Sequence, residues 1–460
     1  MNPPPPEPLY NQSLVIDLYE LTMSAGYFSN NYNHYSTFEL FIREMPRNRS
    51  YLVNAGLDQA IEYLLNLNFT ANDIDYLRSL KVFQQVNSKF WEYLEDFRLS
   101  GDVWGIPEGQ IVFPGEPLLR VSAPIIEAQI VETFLLASYN FQTLIASKAA
   151  RVVQAAQLDG KKRGVMEFGS RRAHGPQASV LAARASYIAG CIGSSNVLAG
   201  QRFKIPVFGT AAHSWTMAFP SEIEAFKSYY QVFPESTILL IDTYNIDNGA
   251  RNAVKTGRGI RGVRIDSGDL AVESSKVRKI LDDAGMKDVT IVVSGDLNEN
   301  KIRKLVEAGA PIDSFGVGTQ LATSEDAPSL GGIYKLVEQE IDGKTRYRAK
   351  FSINKATYPG KKQVYRLLDD SGNFIKDIIG LENDQISEKH IELLKPIIKK
   401  GKLIYHSPSM EEIRNFFQNN FKSLDRKFTS FDRPQTYPVT YSPNLTALFN
   451  SLKEESNHHR

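Results

Sequence analysis

The chain has 460 residues, 42% of them hydrophobic and 23% charged, enough apolar material to bury a large core, which excludes wholesale disorder. Fifty-three basic side chains against fifty-two acidic ones leave a net charge of +1, so there is no global electrostatic case for nucleic acid or an acidic membrane as partner. The single cysteine, Cys191, cannot form an internal disulfide and fits a reducing compartment; among Ala, Ile and Gly neighbours it reads as a small buried hydrophobe.

Residues 1–10 are proline-rich and expected to be extended or disordered. They have neither the basic start nor the apolar run of a signal peptide, and no later stretch approaches the ~20 apolar residues of a membrane helix. A cytoplasmic location is the expectation. A helical pattern runs from Ser13 towards Gly26, Tyr35–Arg43 reads as a strand, and Met45–Ser50 as a loop carrying Arg47 and Arg49. Leu57–Arg98 is mostly helical, and Pro107, Gly109, Pro114, Gly115, Pro117 and Pro124 punctuate short strands. Residues 11–124 therefore read as an N-terminal α+β domain.

One long amphipathic helix is predicted over Pro124–Gln157. Strands then alternate with helices: Gly164–Phe168, Pro206–Gly209, Thr237–Asp242, Gly262–Asp266, Thr290–Ser294 and Ser314–Gly316 are separated by helical stretches at Ala178–Ala189, Ser221–Val232, Asn245–Thr256, Leu270–Ala284 and Asn298–Ala308. Alternation of this kind marks parallel βαβ units. A barrel and an open doubly wound sheet both satisfy it; a barrel over 125–332 is preferred because polar residues follow nearly every strand at its C-terminal end. Beyond it, Tyr334–Val337, Arg346–Ser352 and Lys361–Arg366 read as charged antiparallel strands. A helix follows, started by a capping-box pair, Ser409 and Glu412. This segment, 333–460, is expected to pack back on the N-terminal domain.

The strand ends carry the chemistry. They read Glu167-Phe-Gly-Ser-Arg-Arg-Ala-His174, Phe208-Gly-Thr-Ala-Ala-His-Ser-Trp215, Asp242-Thr-Tyr-Asn245, Arg264-Ile-Asp-Ser-Gly-Asp269, Ser294-Gly-Asp296 and Gly316-Val-Gly-Thr319. Arg, His, Asp and Gly-rich turns gathered on one rim suit an anionic, phosphorylated sugar. Glycines let backbone N–H groups approach phosphate, and aspartates suit ribose hydroxyls or a magnesium ion carried by phosphates. Each turn has a purely structural reading too: Ser294-Gly-Asp296 as a helix cap, Gly316-Val-Gly318 as tight packing, His213 as a satisfied core histidine. Gly257-Arg-Gly-Ile-Arg-Gly262 matches G-x-G-x-x-G, but a helix precedes it and a strand follows, the reverse of a dinucleotide fingerprint. Walker A, His-Glu-x-x-His and paired-cysteine zinc patterns are absent from the sequence.

Together with Asp17-Leu-Tyr-Glu-Leu-Thr-Met23, the motifs at Glu167–Arg172, Gly209–Trp215, Gly262–Leu270 and Phe315–Thr319 resemble those of the nicotinate phosphoribosyltransferases, in the same order. The resemblance runs from about residue 13 to 405. It implies an irregular α/β barrel of the type II phosphoribosyltransferase kind, with a second α+β domain formed by the N-terminal and post-barrel segments. It also implies an activity that joins nicotinate to phosphoribosyl pyrophosphate with coupled ATP hydrolysis, the first step of NAD salvage from nicotinate, in a homodimer. By the same resemblance His213 becomes phosphorylated by ATP, and Tyr19 from the neighbouring subunit, Phe168, Thr210 and Arg264 contact nicotinate. Arg171, Asp242, Asp266, Gly295, Asp296, Gly316, Gly318 and Thr319 would hold ribose and phosphates, the Ser267-Gly-Asp269 turn shaping the phosphate end. No dedicated protein metal site is implied; Mg²⁺ would arrive on the diphosphate. Related nicotinamide-using enzymes place an aspartate near where Ser195 falls, so the neutral serine favours the acid as substrate. Two rivals are a phosphate-handling barrel without ATP coupling, and a catalytically silent relative that binds metabolites.

Overall fold

The computed structural model describes residues 12–352 and 355–458; the proline-rich residues 1–10 lie outside them. The chain forms two compact units, one from residues 1–143, 329–408 and 419–460, the other from 144–328 and 409–418. Residues 125–143, read from sequence as the start of the barrel region, belong to the first unit, and the start of the helix Met410–Ser423 to the second.

In the second unit the apolar runs between polar turns become short parallel strands: β1 (Gly164–Glu167), β2 (Gly193–Ser194), β3 (Ile238–Leu240), β4 (Gly262–Ile265), β5 (Thr290–Val293) and β6 (Ser314–Val317). Their hydrogen-bonded order is β2-β1-β6-β5-β4-β3. The last strand, β6, pairs with the first, β1, along Ser314–Val317 and Gly164–Glu167. Chain neighbours are thus spatial neighbours around a ring, which is a barrel; a doubly wound sheet would leave first and last strands apart. The ring is irregular between β2 and β3. There the predicted strand Pro206–Gly209 contributes one bridge, Val207 to Ser194, while β2 itself was not foreseen. Both of its residues are small, and a Cβ on Gly193 would lie 2.6 Å from the Phe208 ring, so the wall there has no apolar run to read.

The intervening helices start where side chains can cap them. Asn196, Ser221, Asn245, Asp269 and Asn298 each accept a backbone N–H of the first turn, a bond whose loss costs about 1 kcal/mol. Ser409 and Glu412 form the expected reciprocal capping box.

The first unit is built on a seven-stranded antiparallel sheet in which Tyr35–Ile42 lies between Gly332–Ile341 and the central strand Pro117–Pro124. The strand Lys362–Leu368 joins a different, four-stranded sheet with Phe374–Leu381. The single helix predicted over Pro124–Gln157 is two, Ile125–Ile130 and Glu132–Ala156, with the break at Val131. Consequently the N–H of Thr133 lies in a first helical turn without an intrahelical acceptor, and the Glu20 carboxylate takes it at 3.2 Å.

Candidate active site

The C-terminal ends of the barrel strands converge on one charged centre, Arg264. Its side chain leaves β4 from a position that is 16% exposed. Nε donates to the Ser294 hydroxyl at 2.8 Å, one terminal nitrogen to the Thr210 hydroxyl at 2.7 Å, and the other to the Asp266 carboxylate at 2.7 Å. Ser294 also donates to Asp266. Burial alone would raise the Asp266 carboxyl, but hydrogen bonds from Ser294 and Arg264, with the charges of Arg264 and His213, hold it below the ordinary 3.8. It is an anion at neutral pH.

Asp242, beyond β3, braces this turn from the other side: one oxygen accepts the Asp266 N–H at 3.0 Å and the Ser267 hydroxyl at 2.6 Å. Its second oxygen, Oδ1, is buried with no hydrogen-bond partner among the described residues. A buried anionic oxygen left unpaired is costly, so this position fits a hydroxyl or a cation brought by a ligand. His213 starts the helix His213–Met217 after the Gly209-Thr-Ala-Ala turn. Its Nδ1 lies 3.2 Å from the Thr243 hydroxyl.

An aromatic wall adjoins the charged centre. A Cβ on Gly316 would sit 2.5 Å from the Phe168 ring and 3.4 Å from the Ser294 Cβ. Only glycine at that position lets the ring lie against the β6 backbone, with the serine that holds Arg264 alongside. The turn beneath Phe168 is fixed by the fully buried Glu167, which accepts the Ser194 hydroxyl at 2.6 Å and the Gly169 N–H. Burial raises the Glu167 carboxyl, against the lowering effect of those two bonds. The half-buried Ser195 donates its N–H to the Glu167 carbonyl at 3.0 Å.

Gly295 and Asp296 both take positive φ, +98° and +45°. A Cβ on Gly295 would fall 2.2 Å from the Asp266 carbonyl oxygen, so glycine there allows the β5 turn to touch the β4 turn. Gly318 precedes the short helix Thr319–Ala322, and the Phe168 N–H reaches the Val317 carbonyl at 2.8 Å.

Of the residues singled out in the sequence, Thr210, Asp242, Arg264 and Asp266 share one bonded cluster, His213 faces it electrostatically, and Phe168, Gly295 and Gly316 wall it. Arg171 and Asp296 are exposed on turns at the strand ends and do not enter the bonded cluster. Tyr19 belongs to the first unit, where its side chain is 45% exposed. Asp269 caps the helix Leu270–Asp283 through Ala271 and Val272, so its carboxylate serves the turn. Ser294, Thr243 and Glu167 were given no role in the sequence reading. Glu167 is the last residue of β1 and Ser294 directly follows β5, whereas Thr243 lies three residues past β3; a polar side chain at a strand end is the signal the first two share. Among the described residues there is no cluster of three or more metal-ligating side chains, and no helix is long and apolar enough to cross a membrane.

Comparison with known proteins accounts for both units. Models described as the nicotinate phosphoribosyltransferase (NAPRTase) N-terminal domain, the NAPRTase family and the nicotinate phosphoribosyltransferase C-terminal domain match residues 14–140, 164–392 and 386–449. A nicotinate phosphoribosyltransferase of Mycobacterium tuberculosis is 42% identical over 96% of this chain and 94% of its own. One from Bacillus subtilis is 39% identical over 94% and 93%. The crystal structure of human nicotinic acid phosphoribosyltransferase superposes with a TM-score of 0.84 at 29% identity, covering 95% of this chain and all of that one. The barrel closed by β6 on β1, the Arg264 cluster on its rim and the match along nearly the whole chain lead to one conclusion: this chain belongs to the nicotinate phosphoribosyltransferase family.

Proposed function

We propose that this chain is the enzyme its relatives are named for: it joins nicotinate to phosphoribosyl pyrophosphate, forming nicotinate mononucleotide and pyrophosphate, the first step of NAD salvage from nicotinate. The observation that carries the reading is a held guanidinium near an aromatic wall, Arg264 bonded to Ser294 and Phe168 packed on Gly316. Three of the five N–H groups of a guanidinium are used by Thr210, Ser294 and Asp266. Two remain for the carboxylate of a ligand whose ring stacks on Phe168. A neutral Ser195, bonded through its N–H to Glu167 beside Phe168, favours the acid over its amide.

In the reaction the pyridine nitrogen attacks the anomeric carbon of the ribose as the bond to pyrophosphate breaks. Charge builds on the sugar and on the departing oxygens, so positioning and electrostatics supply the rate enhancement rather than a protein nucleophile. Asp242 and Asp266 are placed to hold the ribose and the cation that accompanies the diphosphate, and the buried Oδ1 of Asp242 fits that demand. When bound, Mg²⁺ supplies charge neutralisation of the leaving pyrophosphate. The turns at Arg171, Gly295–Asp296 and Gly316–Thr319 are assigned to the phosphates, their backbone N–H groups and guanidinium being the donors required.

ATP coupling is assigned to His213. With Nδ1 held by Thr243, Nε2 accepts the γ-phosphoryl group, ADP leaves, and water later cleaves the N–P bond to release phosphate. Tyr19, exposed on its own unit, is proposed to cover the pyridine ring from a second copy of this chain, which makes the homodimer the active form. The test is mononucleotide formation with and without ATP in the wild type and His213→Ala. The variant should retain slow, ATP-independent synthesis and lose both stimulation by ATP and ATP hydrolysis. ATP hydrolysis unchanged in His213→Ala would refute the assignment.

A further inference from the structure

The segment that presents Tyr19 contains a hydrogen-bond chain whose hydrogens do not add up unless one carboxyl is protonated. Asp17 and Glu20 have the spacing of a helix capping box, yet Asp17 makes no side-chain cap bond. Both acids turn instead to Thr133, at the start of the helix after the Val131 break. The Thr133 hydroxyl accepts the Asp17 N–H at 3.2 Å and lies 3.0 Å from the Asp17 carboxylate, and it contacts Glu20 Oε1 more closely still. A hydroxyl has one hydrogen to give and two lone pairs. Two ionised carboxylates would compete for that hydrogen and leave one oxygen–oxygen contact repulsive. If Glu20 carries a proton, the count closes: Glu20 donates to Thr133, Thr133 donates to Asp17, and the Asp17 N–H fills the remaining lone pair.

The proton belongs on Glu20 rather than Asp17. Asp17 is exposed to water, whereas Glu20 is fully buried and its Oε2 has no partner among the described residues. Ionising such a group would strand a charge. The groups facing it are mostly acidic or phenolic: Asp17 and Tyr19 on its own helix, Glu132 on the next, Tyr63 from Leu57–Asn66, and Tyr334 from the strand Gly332–Ile341. Lys335 of that strand is the cation in this group, and its charge acts on Glu132. Burial pushes the Glu20 carboxyl up to about 8, Thr133's hydrogen bonds opposing and Glu132's charge adding. The Tyr19 hydroxyl is itself bonded to Glu132, whose carboxylate is held by Gln129 at 2.8 Å. Tyr19 therefore sits one residue from Glu20, on a turn fixed by Thr133 on one side and Glu132 on the other.

We propose that Glu20 holds the shared proton of the Glu20–Thr133–Asp17 chain and thereby fixes the helical turn that presents Tyr19, making Glu20 a positioning residue for nicotinate binding. The inference rests on the proposed role of Tyr19. Ionisation of Glu20 sets it against Glu132 and Asp17, breaks the chain and loosens Tyr19, which weakens nicotinate binding without touching the reacting atoms.

The test compares wild type, Glu20→Gln and Tyr19→Ala in nicotinate kinetics from pH 6.5 to about 9.5. The amide can donate to the Thr133 hydroxyl and cannot ionise, although its NH2 group does not accept the Thr133 N–H that Oε1 takes. In the wild type the KM for nicotinate should rise with pH by up to about tenfold per unit once Glu20 ionises, the slope of a single proton, while kcat changes little. In Glu20→Gln the KM, whatever its level near neutrality, should stay flat with pH. Tyr19→Ala should have a raised KM at every pH. If Tyr19→Ala binds nicotinate normally, the reading of Tyr19 fails. If Tyr19→Ala is impaired but Glu20→Gln follows the wild-type profile, that reading stands and the proposal for Glu20 falls. Thermal stability offers a check independent of activity. Because the folded carboxyl is raised from 4.5 to about 8, wild type should lose stability relative to Glu20→Gln as pH rises across that window, and level off above it. A constant difference would overturn the proton assignment.

Discussion

Arg264 and Asp266, two residues apart on one strand end, bind each other at 2.7 Å, and the pair joins the Phe168 side of the rim to the Asp242 turn. The arginine side faces Phe168 through Ser294 and Gly316; the aspartate side is bound to Asp242 and faces His213. The Thr210–Ser294–Asp266 harness holds the guanidinium in one place, which the proposed role of Arg264 requires.

Replacing Arg264 by Lys keeps the charge and loses the fork. A lysine cannot meet three separate acceptors and still present two parallel N–H groups. We expect kcat/KM for nicotinate to fall by about 1.5–3 kcal/mol, a factor of roughly 10–100, as for a lost charge-assisted hydrogen bond. The melting temperature should move little. Steady-state kinetics with nicotinate varied at saturating phosphoribosyl pyrophosphate read the loss directly.

Gly316→Ala places a methyl group 2.5 Å from the Phe168 ring. The ring must tilt away, at an overpacking cost of about 1–3 kcal/mol. The expected signature is a raised KM for nicotinate together with a lowered denaturation midpoint in urea. An unchanged KM would mean that Phe168 does not line the base site.

The pH dependence of the Asp266 contribution follows from its sign. Its folded carboxyl is held below 3.8, so its contribution to stability is fully present above that value and is lost as pH falls through the lowered folded one. The stability difference between wild type and Asp266→Asn should be constant from neutrality down to about pH 5 and shrink below about 4. Denaturation monitored at several pH values supplies the comparison.

In the first unit, Arg366 and Asp377 are both fully buried and bonded at 2.6 Å, with the Tyr437 hydroxyl on the same carboxylate at 3.0 Å. Asp377→Ala strands a buried guanidinium, which typically costs about 3–5 kcal/mol. Glu116 lies beside the pair with its carboxyl raised by burial and by the Asp377 charge. In the variant it can ionise and offset part of the loss, so the deficit measured by urea denaturation should be larger at acidic pH than at neutral pH.

Much of the barrel was legible in the sequence because its signals are local. Alternating apolar runs set β1 and β3–β6, and Asn245, Asp269 and Asn298 announce helix starts through their own backbone bonds. The β2 wall and the break at Val131 were not legible. Gly193 and Ser194 have no hydrophobic pattern, and Val131 interrupts an apolar run that continues unchanged on either side. In the site, residue types revealed the charge, but not that Ser294 would be the contact joining Arg264, Asp266 and the Phe168 wall. Such a junction is made by residues 264, 294 and 316 of three different strands, and no local pattern encodes it.

The central claim is the choice of substrate, and product analysis tests it most directly. Purified protein is given phosphoribosyl pyrophosphate and Mg²⁺ with nicotinate or nicotinamide, each with and without ATP, and the mononucleotide products are quantified. Nicotinate mononucleotide should form, stimulated by ATP, with little product from the amide. Robust mononucleotide formation from nicotinamide, or none from nicotinate, would contradict it.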